Sequence, residues 1–375
     1  MRVAFVDQAG AKPGGAEESL TLLLKHLPDD IEPSLVFFED GEFAQRMRDT
    51  GYQTTIAAMP DNLRAVPRER PSSTAILGMP AAIAALARVL GSLKVDVVHT
   101  NTVKAHLIAG PAARLRGLRT IMHLRDMVEG SSRTVLRSVA LSCSKERIAI
   151  SRALARWYAM PHTTVISNPV ELSAYDAMPD KAASRERLGI PLDDVPLVGI
   201  VGRINRWKGH DRFLRVIAAV NAAHPVRCAI IGEARFRDAD FVPELHQLAA
   251  DLGISDRTTF VPWLDDPRSA YAALDVHCNC SEREPFGRSI VEAAAAGVPT
   301  VAFDDGGAAD IIRDDVDGRL IRAGDDDAFA RAVSDYVRDA QRRRSAGEAA
   351  REGSQRFAAA THAATVAQIL RRCAA

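Results

Sequence analysis

SEREPFGRSIVEAAAAGVPTV, Ser281 to Val301, decides how the rest of this chain is read. Glu284 and Glu292 stand eight positions apart, and the residues between them impose two different backbones. Pro285 and Gly287 force an irregular turn, whereas Ser289 to Ala296 is rich in strong helix formers. One carboxylate is therefore expected on a loop just ahead of a helix, and the other in that helix's early turns. The first N–H groups of a helix have no intrahelical acceptor and form an anion site. A diphosphate can rest on such amides around Phe286, Gly287, Arg288 and Ser289, with Glu284 and Glu292 accepting hydrogen bonds from nearby hydroxyls. Two glutamates at this spacing mean little alone; the Glu-Pro-Phe-Gly context gives them weight.

Working outward, short apolar runs alternate with amphipathic stretches, the pattern of parallel sheets covered by helices. Strand candidates in the first half are Arg2–Val6, Ser34–Phe38, Asp96–Thr100, Arg119–His123 and Arg147–Ser151. The pattern restarts with LVGIVG at Leu197 and continues through RCAIIG, TTFVP, DVHCN and PTVAF. Two such series predict two doubly wound α/β domains, with the seam near Val165–Asp176, where Asn168-Pro169 interrupts a strand. We divide the chain into residues 1–170, 171–355 and a helical tail, 356–375, that returns to the first domain.

Arg203 and Lys208 follow the LVGIVG strand, at Gly202, and open a helix, so their charges are expected at the strand's carboxyl end, where open α/β sheets bind ligands. Gly14 and Gly15 come between the first strand and the helix AEESLTLLLKHL, where glycine allows close backbone approach to phosphate or acceptor; a plain flexible turn is the competing account. The spacing is not G-x-G-x-x-G, which counts against a nicotinamide enzyme. The acidic clusters Asp304-Asp305, Asp314-Asp315 and Asp325–Asp327 read as loops and helix caps rather than metal ligands.

These stretches together resemble glycosyltransferase family 4. EPFGRSIVEAAAAGVPTV matches the family's Glu-x7-Glu element and the small-residue run after it. VGRINRWKGHD (Val201–Asp211) resembles its diphosphate loop, and GGAE (Gly14–Glu17) its first glycine loop. HLRDM, AISRAL and VISNPVE resemble weaker landmarks in the expected order. The resemblance runs from about Met1 to Tyr336. It implies a GT-B fold, two Rossmann-like domains with a cleft between them: an N-terminal acceptor domain and a C-terminal nucleotide-sugar donor domain.

The resemblance further implies a retaining glycosyltransferase without a metal or other cofactor, using a UDP- or GDP-sugar. Arg203 and Lys208 would hold the diphosphate and Trp263 would lie beside the base. Glu284 would orient the donor sugar, Glu292 the ribose, and His123 would meet the sugar's 6-hydroxyl or influence the acceptor. His99 is a weaker candidate nearby. A non-catalytic nucleotide-sugar-binding protein of the same fold is the alternative; it would have lost a glutamate or a basic residue, and none is lost here. A sugar-nucleotide 2-epimerase shares the architecture but has different motifs.

Composition constrains the partners. With 47% hydrophobic and 26% charged residues the chain is that of a globular protein, and its formal net charge is zero. That zero conceals a basic first half, since Met1–Val170 carries 21 Lys/Arg against 16 Asp/Glu. Arg88–Arg156 alone has 13 against four, which suits a phosphorylated or lipid-linked acceptor, or peripheral contact with an anionic membrane. A natural-product or polysaccharide acceptor remains open, as does the oligomeric state. No nucleic-acid partner is expected. Asp61–Ser73, rich in Pro and Arg, is a candidate acceptor loop.

No run of 18 uncharged apolar residues occurs, and MRVAFVD reads as a first strand, not a signal peptide. Five scattered cysteines, with no C-x-x-C pair, fit a reducing cytoplasm.

Overall fold

The computed structural model describes residues 1–8, 14–59, 63, 73–234 and 238–375; the Asp61–Ser73 loop singled out above therefore lies almost wholly outside the described residues. The chain forms two compact units, Met1–Pro169 with Ala359–Ala375, and Val170–Ala358.

Unit 1 is built on a seven-stranded parallel sheet, β1 (Arg2–Asp7), β2 (Glu32–Phe37), β3 (Gln53–Ile56), β4 (Val97–Thr100), β5 (Arg119–Leu124), β6 (Glu146–Ala149) and β7 (Thr163–Val165). Its order is β3-β2-β1-β4-β5-β6-β7. Unit 2 has six parallel strands, β8 (Leu197–Val201), β9 (Arg227–Ile231), β10 (Thr258–Val261), β11 (Val276–Asn279), β12 (Thr300–Asp304) and β13 (Gly318–Arg322), in the order β10-β9-β8-β11-β12-β13. Parallel strands need crossover connections, and helices supply most of them here. Covered on both faces, a central strand must be apolar throughout, hence Val3–Val6 and Val97–Val98 with no exposed surface beyond 1%.

Three strands were not among the candidates, β3 (QTTI), β7 (TTV) and β13 (GRLIR). All three lie at sheet edges, where one neighbour is missing and burial is partial, so none carries a continuous apolar run.

Both sheets share one topological property. The chain direction of the winding reverses between β1 and β4 in unit 1 and between β8 and β11 in unit 2, and open α/β sheets bind ligands at the carboxyl ends beside such a switch point.

Helix Ala359–Ala374 belongs to unit 1. Its Ala363, Val366, Ala367, Ile369, Leu370 and Cys373 are buried in the same core as Val3, Phe5, Leu20 and Ile121. The spacing of those six residues is that of one helical face, which is why this stretch folds as a helix only against an apolar sheet. Arg119 and Lys145 donate to carbonyls of Cys373 and Ala374 at its carboxyl end, satisfying acceptors that have no helical partner. Leu370→Ala should destabilise unit 1 by about 2–5 kcal/mol through lost burial and a residual cavity. Chemical denaturation followed by far-UV circular dichroism would check this, and an unchanged midpoint would show that the helix contributes little to the core.

Candidate functional site

Two loops leave the strands that flank the switch point of unit 2. One follows β8 and carries Gly202, Arg203 and Lys208; the other follows β11 and carries Ser281 to Gly287. Asn205 starts a single helical turn, Arg206–Lys208, by accepting from the Lys208 N–H at 3.2 Å. Gly209 then adopts φ +72 and begins helix His210–Ala223. A Cβ at Gly209 would lie 2.3 Å from the Cys280 carbonyl oxygen, so only glycine lets the two loops touch here. The Glu282 N–H donates to the Trp207 carbonyl at 2.8 Å and locks the same approach.

The approach joins residues 76 positions apart. Lys208 Nζ donates to Glu284 Oε2 at 2.5 Å, a short charge-assisted bond, and packs 4.3 Å from the Trp207 ring centre. Glu284 is buried. Burial pushes its carboxyl up, but the charge of Lys208 and hydrogen bonds from Lys208, Ser281 and Asn279 together outweigh that and hold it below its ordinary value. The result is an ionised carboxylate in a protein interior. An ammonium has three donors, so Lys208 has two beyond the one on Glu284.

The Glu284 backbone is braced from β12. Its N–H donates to the Asp305 carbonyl at 2.9 Å, and its carbonyl accepts from the Gly307 N–H at 2.7 Å. Asp305 Oδ2 also accepts from the Arg283 N–H at 2.9 Å. Gly306 has φ +127, and a Cβ there would stand 2.1 Å from the Glu284 carbonyl oxygen. The sequence DDGG, read above only for its acidic pair, thus includes a glycine that seats the glutamate loop. Asp325 is a helix cap, accepting from the Ala328 N–H.

Helix Arg288–Ala295 begins after Gly287, and its first intrahelical bonds are donated by Ile290 and Val291 to the Gly287 carbonyl. The N–H groups of Arg288 and Ser289 precede those bonds and make the positive end of the helix. Glu292 accepts from Arg288 Nε at 2.7 Å and from Tyr271 Oη at 2.8 Å. Burial first, and the Glu292 charge second, push the Tyr271 phenol far up, so it stays a donor. Phe286 is buried against Phe357, ring centres 6.0 Å apart; its side chain is a packing group. Arg203 is exposed between β8 and Lys208. Trp263 is 45% exposed after β10, two strands (about 10 Å) along the sheet from β8.

In unit 1, Gly14 begins helix Gly15–Lys25 and donates to Glu17 Oε2 at 2.9 Å; its φ of −123 is open to any residue. Among the described residues a Cβ on Gly15 would meet nothing within 4 Å, and one on Gly14 would lie 3.1 Å from Glu17 Oε2.

His123 is the penultimate residue of β5, near its carboxyl end, and is fully buried. The residue beside it that sequence reading passed over is Arg125. Its Nε donates to Asn101 Oδ1 at 2.5 Å, Nη1 to Asn168, and Nη2 to His123 Nδ1 at 3.3 Å. Asn101 in turn donates to Asp7 Oδ2 at 2.7 Å. Burial, then the neighbouring Glu17 carboxylate, raise Asp7 to about 7 despite its bonds from Asn101, Gln8 and Thr102. The Asn101–Arg125–Asn168 contacts were invisible in sequence because their members are 24 and 43 positions apart.

A parallel sheet whose winding reverses at a central switch point, as in both units, defines the doubly wound, Rossmann-like α/β class. Residues 180–353 match the family described as Glycosyl transferases group 1, and residues 13–174 match Glycosyltransferase Family 4. The chain belongs to that glycosyltransferase family.

The structure of Anabaena Alr3699/HepE in complex with UDP and glucose is similar over 99% of both chains, with a TM-score of 0.85 and 27% identity. The D-inositol 3-phosphate glycosyltransferase of Stackebrandtia nassauensis is 36% identical over 189 residues, 48% of this chain and 42% of that protein. Lipopolysaccharide core biosynthesis glycosyltransferase LpsE of Rhizobium meliloti is 37% identical over 158 residues, 42% of this chain and 44% of that one. The chain thus spans less than half the length of these two curated relatives.

The raised Asp7 gives a signed pH dependence. Between about pH 4 and 7 the folded state holds a proton that the unfolded state releases, so Asp7's contribution to stability falls as pH rises through that window. Asp7→Asn stays neutral throughout, and its melting temperature should gain on the wild type between about pH 4 and 7 and level off above. A constant difference across that range would show that Asp7 does not titrate there.

Proposed function

We propose that this protein transfers a sugar from a nucleoside diphosphate sugar to an acceptor hydroxyl, with retention at the anomeric carbon. The observation that carries the reading is the Lys208–Glu284 pair at the switch point of unit 2, beside the amino end of helix Arg288–Ala295. Departure of the nucleotide leaves negative charge on the diphosphate, and stabilising that charge is the main catalytic task. Lys208, Arg203 and the amides of Arg288 and Ser289 would meet it, each charge-assisted bond contributing about 1.5–3 kcal/mol. Glu284, kept ionised, would accept from hydroxyls of the transferred sugar; Glu292 would accept from the ribose. Gly14, Gly15 and His123 would serve the sugar and the acceptor from unit 1. In this scheme the leaving phosphate takes the acceptor's proton, and neither glutamate is a nucleophile. The likeness to a protein crystallised with UDP and with UDP-glucose favours a UDP-sugar.

The first variants to make are Lys208→Met and Glu284→Gln, which remove a charge while keeping most of the side-chain volume. Each should lower the turnover of a nucleotide sugar by about 10²–10³-fold, the loss seen for a preorganised donor. Glu284→Gln leaves Lys208 unpaired, so melting temperatures must be recorded beside the rates. Full transfer activity in both variants would dismiss the site.

An acceptor that is phosphorylated or lipid-linked fits the basic half of the chain and the names of the two relatives above. One surface observation favours work at a membrane face. Leu115 is 70% exposed at the end of helix Val103–Leu115, between exposed Arg114 and Arg116. The adjoining helix Gly130–Cys143, bonded to the first by Arg114 and Ser142, contains no acidic residue and exposes Val135 and Leu141. Apolar side chains among arginines suit an anionic bilayer. Among the described residues no helix is long and apolar enough to cross one. Vesicles containing phosphatidylglycerol should retain the protein in sedimentation, and Leu115→Ser with Leu141→Ser should weaken retention several-fold. Equal retention on purely zwitterionic vesicles would remove this reading.

A further inference from the structure

Four histidines and one arginine gather at the carboxyl edge of the unit 1 sheet. His99 comes from β4, His123 from β5, His106 from helix Val103–Leu115 and His362 from helix Ala359–Ala374. His123 and His362 stack with ring centres 6.0 Å apart, and His99 meets His123 edge-on at 5.4 Å. All four are buried, and Arg125 is 6% exposed beside them.

The hydrogen-bond chemistry of these rings is not symmetrical. A guanidinium only donates, so the His123 Nδ1 that faces Arg125 Nη2 must be the bare, accepting nitrogen. The proton of a neutral ring then sits on Nε2. A carbonyl only accepts, so His362 Nδ1, 2.8 Å from the Ser167 carbonyl, must carry its ring's proton. The stacked pair therefore holds opposite tautomers. Among the described residues His123 Nε2 has no hydrogen-bond partner although it is fully buried, as is also true of His362 Nε2 and of both His99 nitrogens. An unmade bond at a buried donor is costly, so a partner that reaches the Nε2 proton is favoured there.

Arg125 cannot easily turn away. Asn101 and Asn168 hold its other nitrogens, and Asn101 is itself oriented by Asp7, since an amide that donates to the carboxylate must present its oxygen to the arginine. Protonation of His123 is opposed from every element packed on it. Burial acts first, then the charge of Arg125, with His99, His362 and His106 adding smaller effects. The one carboxylate in the chain of contacts, Asp7, reaches His123 only through Asn101 and Arg125.

We propose that Arg125 is a positioning residue that fixes His123 as the neutral tautomer protonated on Nε2, making it a hydrogen-bond donor to a substrate hydroxyl and not a proton acceptor. The tautomer follows from unit 1 alone; the hydroxyl as its target rests on the glycosyl-transfer reading above.

The test uses the full chain with histidine labelled in ¹⁵N, and long-range ¹H–¹⁵N correlation between pH 6 and 8, with His123→Ala identifying the signal. Wild type should show a bare Nδ1 and a protonated Nε2 throughout. Arg125→Leu should populate the Nδ1-protonated form or the imidazolium, and Arg125→Lys should restore the original tautomer. In transfer assays Arg125→Leu should lower kcat by about three- to tenfold, the worth of one neutral hydrogen bond, with KM for UDP-glucose unchanged. A wild-type His123 that is Nδ1-protonated or cationic at pH 7 overturns the proposal, as does an unaltered tautomer in Arg125→Leu. If that variant does not fold, the wild-type and Arg125→Lys spectra decide the matter. A wild type that transfers no sugar removes the hydroxyl target and leaves the tautomer result standing.

Discussion

A carboxylate that is buried and still ionised dictates what can surround it. Removing a carboxylate from water costs several kcal/mol even after relaxation, and Glu284 remains charged only because Lys208, Asn279 and Ser281 all turn toward it. Each of those partners must be delivered by a strand end. Lys208 follows β8, Asn279 ends β11 and Ser281 follows it, and these are the two strands between which the winding reverses. The glycines at 209 and 306 exist for the same reason, since each admits a backbone oxygen where a side chain would block it. The arrangement is expensive as a stability device, because a well-packed apolar pair would serve as well or better. Its retention of a charged pair is intelligible as chemistry.

Unit 1 repeats the topology and reverses the electrostatics. At its switch point the carboxylate, Asp7, is pushed toward neutrality, and the fixed charge is the cation Arg125. Around that cation the imidazoles are driven to their neutral forms, His106 to about 3 and His362 to about 4, burial being the larger cause in each case. One sheet edge thus offers a pinned ion pair and helix amides; the other offers buried neutral imidazoles, one of them bonded to the guanidinium of Arg125. The same 3-2-1-4 winding carries both, which shows how little the fold by itself says about chemistry.

The sheet architecture was largely legible in the sequence because central parallel strands must be apolar on both faces, and such runs stand out. Edge strands β3, β7 and β13 escaped, since half-buried positions tolerate Gln, Thr and Arg. At the site, local pattern identified Lys208 and Glu284 separately but not their bond, because periodicity carries no information about a partner 76 positions away. Arg125 was counted among 13 basic residues and hidden by them. Only its placement beside two asparagines and a histidine separates it from the solvated arginines. Gly306 was obscured by the aspartates before it.

The return of helix Ala359–Ala374 to unit 1 makes unit 2, Val170–Ala358, an insertion within the first unit's chain. The core of unit 1 is complete only when Val366, Leu370 and Cys373 have joined it, long after Pro169 has been made. Within unit 2 the two ends of the insertion meet: the Val170 N–H donates to the Phe357 carbonyl at 2.9 Å, and Val170 pairs with Ala358. A folded unit 2 therefore keeps Pro169 and Ala359 close along the chain, so that docking of the helix onto unit 1 closes a short loop instead of one of nearly 190 residues, at a lower entropic cost.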